Sequence, residues 1–270
     1  MGKLKTITYH DQKSETFPYN LPFFNGKPIK LSNTVTIISG SNGSGKSTLL
    51  ELLAEKLGLY RITEQSDTTK TLRESILPAT RHVDATYNLQ KPKGFLFSAE
   101  DFTKYIQFLE HEKALAKQEL ETIDKTYKNK STYAKMMAKS PHNKTLGEID
   151  SLYQNPLLTA SHGEAYLDFF SSRLRPNTLY LLDEPETPLS IQNQLTLLVL
   201  IHNAVKQGAQ LIIATHSPII SAYPNATLYT LSPTAIDETN FDTIESVKLL
   251  KDFLENKEAY LNHLFKGDDV

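Results

Sequence analysis

The chain turns on Gly40-Ser41-Asn42-Gly43-Ser44-Gly45-Lys46-Ser47-Thr48, which follows the β-branched run Thr34-Val35-Thr36-Ile37-Ile38 and leads into Leu49-Leu50-Glu51-Leu52-Leu53-Ala54. The order is strand, glycine-rich loop, helix, and the loop fits G-x-x-x-x-G-K-[ST]. Glycines at 40, 43 and 45 let the backbone turn tightly with its N–H groups aimed at a phosphate, and the helix opening at Lys46 adds its positive dipole end. Lys46 is placed to reach the β- and γ-phosphates of a nucleotide as a point charge, and Ser47 to offer its hydroxyl to Mg²⁺. The plain alternative is a Gly/Ser-rich turn that matches by accident. At ordinary glycine frequency such a match arises on the order of once in a hundred chains of this size, before the flanking strand and helix are required.

Three further stretches agree with that loop. Thr178 to Leu182 is an apolar run of buried-strand type, closed by Asp183-Glu184-Pro185-Glu186. Acids at the C-terminal end of a buried parallel strand stand where a metal and a base are needed, in the crevice beyond the strand ends; the alternative is an exposed acidic turn. Gln210 to Ala214 is a second such run and ends in Thr215-His216-Ser217-Pro218. A lone histidine is usually structural, but one at the tip of a parallel strand beside a phosphate loop and paired acids is expected to face the nucleotide. Ser161-His162-Gly163-Glu164, ahead of the helix-like Ala165 to Arg175, makes another anion-friendly helix start, although Ser-x-Gly-Glu is also commonplace there.

Elsewhere the pattern is coarser. Leu4 to Tyr9 alternates as a strand with one wet face, and Gly94 to Ser98 is a short buried strand that delivers Ala99-Glu100-Asp101. The aromatic loop Phe17 to Gly26 either supplies a ring to stack on adenine or plugs the edge of the core, the second being the more economical. Thr103 to Lys130 reads as a helix with a solvated charged face, and Ser131 to Pro156 as a mobile connector. Tyr60 to Pro92 is polar and weakly periodic, and no element is assigned there. Helices are expected over Gln192 to Val205, Ile244 to Leu254 and Glu258 to Phe265, with a strand near Ala226 to Leu231.

Length and composition bound the rest. A chain of 270 residues suits one large α/β domain carrying an insertion. Lys plus Arg number 29 against 31 Asp plus Glu, a net charge of −2, so no global pull toward nucleic acid or anionic membrane exists, while a local basic patch stays possible. The absence of cysteine excludes disulfides, thiolate metal sites and cysteine nucleophiles. With no signal-peptide core at the N-terminus and no apolar run near 18 residues, a cytoplasmic protein without a transmembrane segment is expected.

Phosphate loop, Ser-x-Gly-Glu, Leu-Leu-Asp-Glu-Pro-Glu and Ala-Thr-His-Ser-Pro, in that order, resemble an ABC-type ATPase. More narrowly, the chain is similar to small stand-alone bacterial ATPases of the AAA family (AAA_21-like). The resemblance implies a P-loop NTPase of ABC-ATPase type: a mostly parallel sheet flanked by helices, an antiparallel N-terminal part, and a helical insertion near residues 101–160 within one domain spanning 1–270. It implies that Gly40, Ser41, Asn42, Gly43, Ser44, Gly45, Lys46, Ser47 and Thr48 bind ATP, that Ser47 and Asp183 hold Mg²⁺, and that Glu100 joins them where the family usually has glutamine. Glu184 is implied as the general base, with Lys46 and His216 stabilising charge at the γ-phosphate. Ser161, Gly163 and Glu164 stand where the family's signature caps the nucleotide of an opposite subunit, implying a head-to-tail homodimer around ATP. Three roles follow from such a module: a regulatory or defence ATPase working through a partner protein, an ATP-binding subunit of a transporter, or a DNA-repair or chromosome-maintenance head.

Overall fold

The computed structural model describes residues 3–11, 14–31, 33–61, 67–151 and 162–265. Its centre is a sheet of seven strands in the order β10-β9-β3-β8-β7-β6-β4. These are β3 (Val35–Ser39), β4 (Tyr60–Arg61), β6 (Gly94–Ser98), β7 (Leu179–Asp183), β8 (Gln210–Ala214), β9 (Thr227–Leu231) and β10 (Ile236–Thr239). All neighbours pair parallel except β10, which returns antiparallel on β9.

The three central strands read as continuous apolar runs because both faces are covered. Side chains alternate between two cores: Ile37, Tyr180, Leu182, Leu211 and Ile213 enter one, Ile38, Leu179, Leu181 and Ile212 the other. Against the first core pack α5 (His162–Ser172) and α6 (Ile191–Lys206), the start of α3 (Ala99–Thr126), the short α7 (Pro218–Ser221) through Ile220 and, through Val247, α8 (Glu245–Glu255). Against the second packs α1 (Lys46–Leu57), with Leu49, Leu50, Leu52 and Leu53 buried. Burying one such side chain contributes about 1.5–3 kcal/mol, so α1 is held mainly by its packing.

A second sheet, β2-β1-β5, is antiparallel and closes over the second core. It joins β1 (Leu4–Tyr9), β2 (Pro28–Lys30) and β5 (Val83–Tyr87). The α/β P-loop NTPase class, its mostly parallel sheet between helices and its antiparallel N-terminal part are therefore observed as expected. The stretch 60–92 contains β4, α2 (Asp67–Ile76), a 3₁₀ turn (Leu77–His82) and β5. Its strands were illegible because their partners lie far away in sequence, Thr86 facing Thr6 and Tyr60 facing Phe95.

The expected mobile connector at 131–156 is corrected over 131–151, while 152–156 lie outside the described residues. Residues Thr132–Ser151 form a helix, α4, antiparallel to α3 and tied to it by Lys113 to Asp150 at 2.7 Å and by Lys135 and Lys139 to Asp124, each at 2.6 Å. Strong helix formers from Ala134 to Lys139 outweigh Pro141 in the middle once α3 supplies a packing surface. The aromatic loop fills the core: Phe23 and Phe24 are buried, with ring centres 4.8 Å and 5.6 Å from Tyr9. Among the described residues no helix is long and apolar enough to cross a membrane.

Candidate nucleotide site

Register places the site. Ile38 of β3 lies opposite Ala214 of β8, Ala214 opposite Asp183 of β7, and Asp183 opposite Ser98 of β6. Four strand tips therefore end level, and the phosphate loop, the His216 turn, the acid pair and the Glu100 segment leave the sheet side by side. This is the carboxyl edge at which open parallel sheets bind ligands.

In the loop, Gly45 has φ +101°, a left-handed conformation that favours glycine, and a Cβ there would lie 3.0 Å from Leu21 and 3.3 Å from Phe23. Among the described residues no side chain caps the N-terminus of α1, which leaves its first N–H groups open to an anion. Lys46 is buried, and its Nζ donates to the carbonyls of Gly40 at 2.8 Å and Ser41 at 3.1 Å. Ser44 Oγ is buried with no hydrogen-bond partner among the described residues, while Ser41 and Asn42 are exposed and Thr48 is buried.

Asp183 Oδ1 is likewise buried and without a partner among the described residues. Burial pushes this carboxyl up to about 7; a hydrogen bond from Ser47 opposes the shift, and the charges of Glu184 and Glu51 reinforce it. Glu184 sits at φ +45°, with its N–H donating to Ala214 at 2.9 Å and its carbonyl accepting from Thr187 at 3.1 Å. That backbone aims Oε1 to 3.7 Å from Lys46 Nζ and 3.7 Å from His216 Nδ1. A non-glycine residue in this region stores on the order of 1–3 kcal/mol, and such strain gathers at sites of function.

A cleft of about 450 Å³ opens beside the acids, lined by Ser47, Ser98, Glu100, Lys104, Asp183 and Glu184. The three residues expected to hold metal thus meet in one place. Glu100 is ion-paired with Lys104, and Ser98 caps α3 by accepting from the Glu100 N–H at 3.2 Å. Among the described residues no three His, Asp or Glu side chains form a metal cage. Mg²⁺ asks for less, since it takes one or two protein oxygens and completes its shell with phosphate and water. The unpartnered Asp183 Oδ1 beside the Ser47 hydroxyl is a donor set of that kind, and the residues fit the ion.

Two features had escaped the sequence reading. Glu186 is buried, and its Oε1 accepts from Thr215 Oγ1 at 2.6 Å, His216 N at 3.0 Å and Ser217 N at 3.2 Å, so one carboxylate fixes the whole His216 turn. The signal was present: a second acid two residues beyond Glu184, with Pro185 between, is an unusual ornament for a solvent turn. Glu51, one helical turn past Ser47, is buried and paired by both carboxylate oxygens to Arg61, which reaches Glu55 at 2.9 Å. Nothing local in the sequence joins positions 51 and 61.

The expected signature is only partly visible. Ser161 lies outside the described residues. Gly163 is buried against α6, where a Cβ would meet Asn193 Nδ2 at 2.5 Å, and Glu164 is exposed. Neither lines the cleft formed by Ser47, Asp183 and Glu184 of the same chain.

No protein-family model matches the chain. A Methanosarcina acetivorans protein, provisionally named an ABC transporter ATP-binding protein, is 28% identical over 186 residues, which cover 66% of this chain and 62% of that protein. The chain therefore spans somewhat less than two thirds of that relative's length. Among solved structures, the Smc head domain of Pyrococcus furiosus with an extended coiled coil, bound to the C-terminal domain of ScpA, covers 94% of this chain and is itself covered completely, at TM-score 0.48 and 14% identity. A dimeric bacterial ABC transporter cassette covers 89% of this chain, with 99% of its own length matched, at TM-score 0.44 and 16% identity.

Proposed function

We propose that this chain is an ABC-type ATPase that binds ATP with Mg²⁺ and hydrolyses the β–γ phosphoanhydride bond with water. The observation that carries the reading is the convergence of a buried loop lysine, a strained glutamate and a histidine: Glu184 Oε1 stands 3.7 Å from both Lys46 Nζ and His216 Nδ1.

The loop from Gly40 to Thr48 binds the phosphates through backbone N–H groups and the open N-terminus of α1. Lys46 neutralises charge on the β- and γ-oxygens. Ser47 and Asp183, with Glu100 at the cleft wall, hold Mg²⁺, which when bound supplies further neutralisation of those oxygens. Glu184 Oε1 accepts a hydrogen bond from the attacking water and takes its proton as the new O–P bond forms and the bond to the bridging oxygen breaks. His216, held by Glu186 through the backbone, faces the γ-phosphate and stabilises the charge that develops there.

Because Gly163 and Glu164 stand away from their own cleft, they and Ser161 are assigned to the nucleotide of a second copy, in a head-to-tail homodimer formed on ATP. The chain from 1 to 270 is read as one catalytic unit with the helices near 101–160 inserted. We read it as a stand-alone cytoplasmic ATPase of the AAA_21-like kind, with a regulatory or defence role exerted through a partner protein. The name of the Methanosarcina relative favours a second reading, the ATP-binding subunit of a transporter, which requires a membrane partner.

The test is phosphate release from Mg²⁺-ATP by the unmodified protein and by Glu184→Gln. Removing a positioned base costs a factor of about 10²–10⁴, while nucleotide affinity stays within a few-fold. Equal rates in the two proteins would remove Glu184 from the chemistry.

A further inference from the structure

The hairpin of α3 and α4 contributes only its base to the nucleotide cleft, and its far end carries a different chemistry. α3 has 28 residues, which at ~1.5 Å per residue spans about 40 Å. From Asp124 to Lys144 the chain holds six lysines, at 125, 128, 130, 135, 139 and 144, against Asp124 as the sole acid. That segment is +5 in a chain of −2 overall, which leaves −7 on everything else. Positive charge is concentrated at one end of one element.

The tip is built so that this charge faces outward. Asp124 accepts from Lys135 and Lys139 at 2.6 Å each, which pins the start of α4 to the end of α3 and holds the Asp124 carboxyl below the usual range. One carboxylate cannot neutralise two ammonium groups. Lys125, Lys128 and Lys130 are exposed and have no ion-pair partner among the described residues, and Lys144 has only an exposed contact with Glu148 at 3.7 Å. Beside them Tyr133 is 69% exposed, and Asn129, Ser131, Thr132 and Asn143 add exposed polar groups.

We propose that this hairpin tip binds nucleic acid, gripping the phosphate backbone with Lys125, Lys128 and Lys130 and offering the Tyr133 ring to an unstacked base. Compact, unpaired lysines on a small polar surface fit closely spaced phosphates, whose neutralisation releases counterions. An exposed tyrosine among them fits the stacking platform used for single strands. An anionic membrane is the less suited occupant. Helices that lie in a bilayer surface present a broad face of Trp, Phe or Leu, and between 124 and 144 the exposed large apolar side chains are Tyr133, Met136 and Met137. The proposal draws on nothing in the nucleotide reading and stands or falls apart from it.

The experiment is fluorescence anisotropy of the full-length chain with labelled DNA of about 30 nucleotides, single-stranded and duplex, from ~50 to ~200 mM salt, without ATP. Binding is expected to weaken linearly in log–log form with salt. The triple variant Lys125→Glu, Lys128→Glu, Lys130→Glu should lose at least about tenfold in affinity and flatten the duplex slope by about 3. Tyr133→Ala should weaken the single strand more than the duplex. Lys248→Glu with Lys257→Glu, exposed lysines on α8 and beyond it, should change neither. Circular dichroism of each variant keeps loss of binding separate from loss of fold. The proposal is overturned if neither DNA binds at ~50 mM salt, if folded triple variant binds as well as the unmodified chain, or if phosphatidylserine vesicles bind where DNA does not.

Discussion

The strand-tip region and the helical hairpin obey opposite rules. At the strand tips polar atoms are buried without partners among the described residues, as at Ser44 Oγ and Asp183 Oδ1, and Glu184 occupies a left-handed backbone. Toward the far end of the hairpin, from Asp124 to Lys144, the charged groups are mostly exposed and the lysines outnumber the acids, and along α4 a proline and a glycine are tolerated. A fold gives up stability where a ligand is to be received and keeps it where only a surface is needed. The contrast also says where substitutions should hurt.

The sharpest break is expected at Gly94, where β6 crosses close to β7. A Cβ there would lie 1.8 Å from the Leu179 carbonyl oxygen, so Gly94→Ala must force β6 and β7 apart. We expect at least about 3 kcal/mol of lost stability, read by urea unfolding, or failure to fold. A loss under 1 kcal/mol would mean that the sheet is far more pliable than its packing implies.

Asp183 carries the middle effect, and its sign is opposite. Its carboxyl is raised in the folded chain from 3.8 to about 7, so the folded state prefers the protonated form. Below about pH 4 both states are protonated and the group is neutral in its effect. As pH rises from about 4 to 7 the unfolded chain ionises first, stability falls, and the loss is complete above about 7. Asp183→Asn should therefore stabilise the nucleotide-free protein by a few kcal/mol at pH 8 and by almost nothing at pH 4, measured as Tm across that range. Equal gains at both pH values would place the cost elsewhere than in the buried charge.

The smallest effect belongs to the hairpin. Gly147 lies within α4, and a Cβ there meets nothing within 4 Å. Gly147→Ala should raise stability by about 0.5–1 kcal/mol, the helix-propensity difference alone. A destabilised variant would reveal a close neighbour on that face.

Legibility in the sequence follows the same division. Val35–Ser39, Leu179–Asp183 and Gln210–Ala214 were readable because strands buried on both faces must be apolar throughout, and the polar residues ending each run pointed to the site. The phosphate loop was readable because its glycines answer a local backbone demand. What depended on a distant partner was not. β5 exists through its pairing with β1, α4 through its packing on α3, and Glu186 matters through backbone N–H groups some thirty residues away. No local pattern encodes such pairings, since each end looks ordinary until the chain has closed.

In the proposed mechanism two copies of this chain enclose ATP between the phosphate loop of one and the Gly163 corner of the other. The most direct measurement is the mass of Glu184→Gln protein in solution with and without Mg²⁺-ATP. The account predicts a monomer that becomes a dimer when ATP is added and returns when the nucleotide is removed. ATP bound at the phosphate loop with the mass unchanged would contradict it, and would leave Gly163 and Glu164 as an ordinary helix start packed on α6.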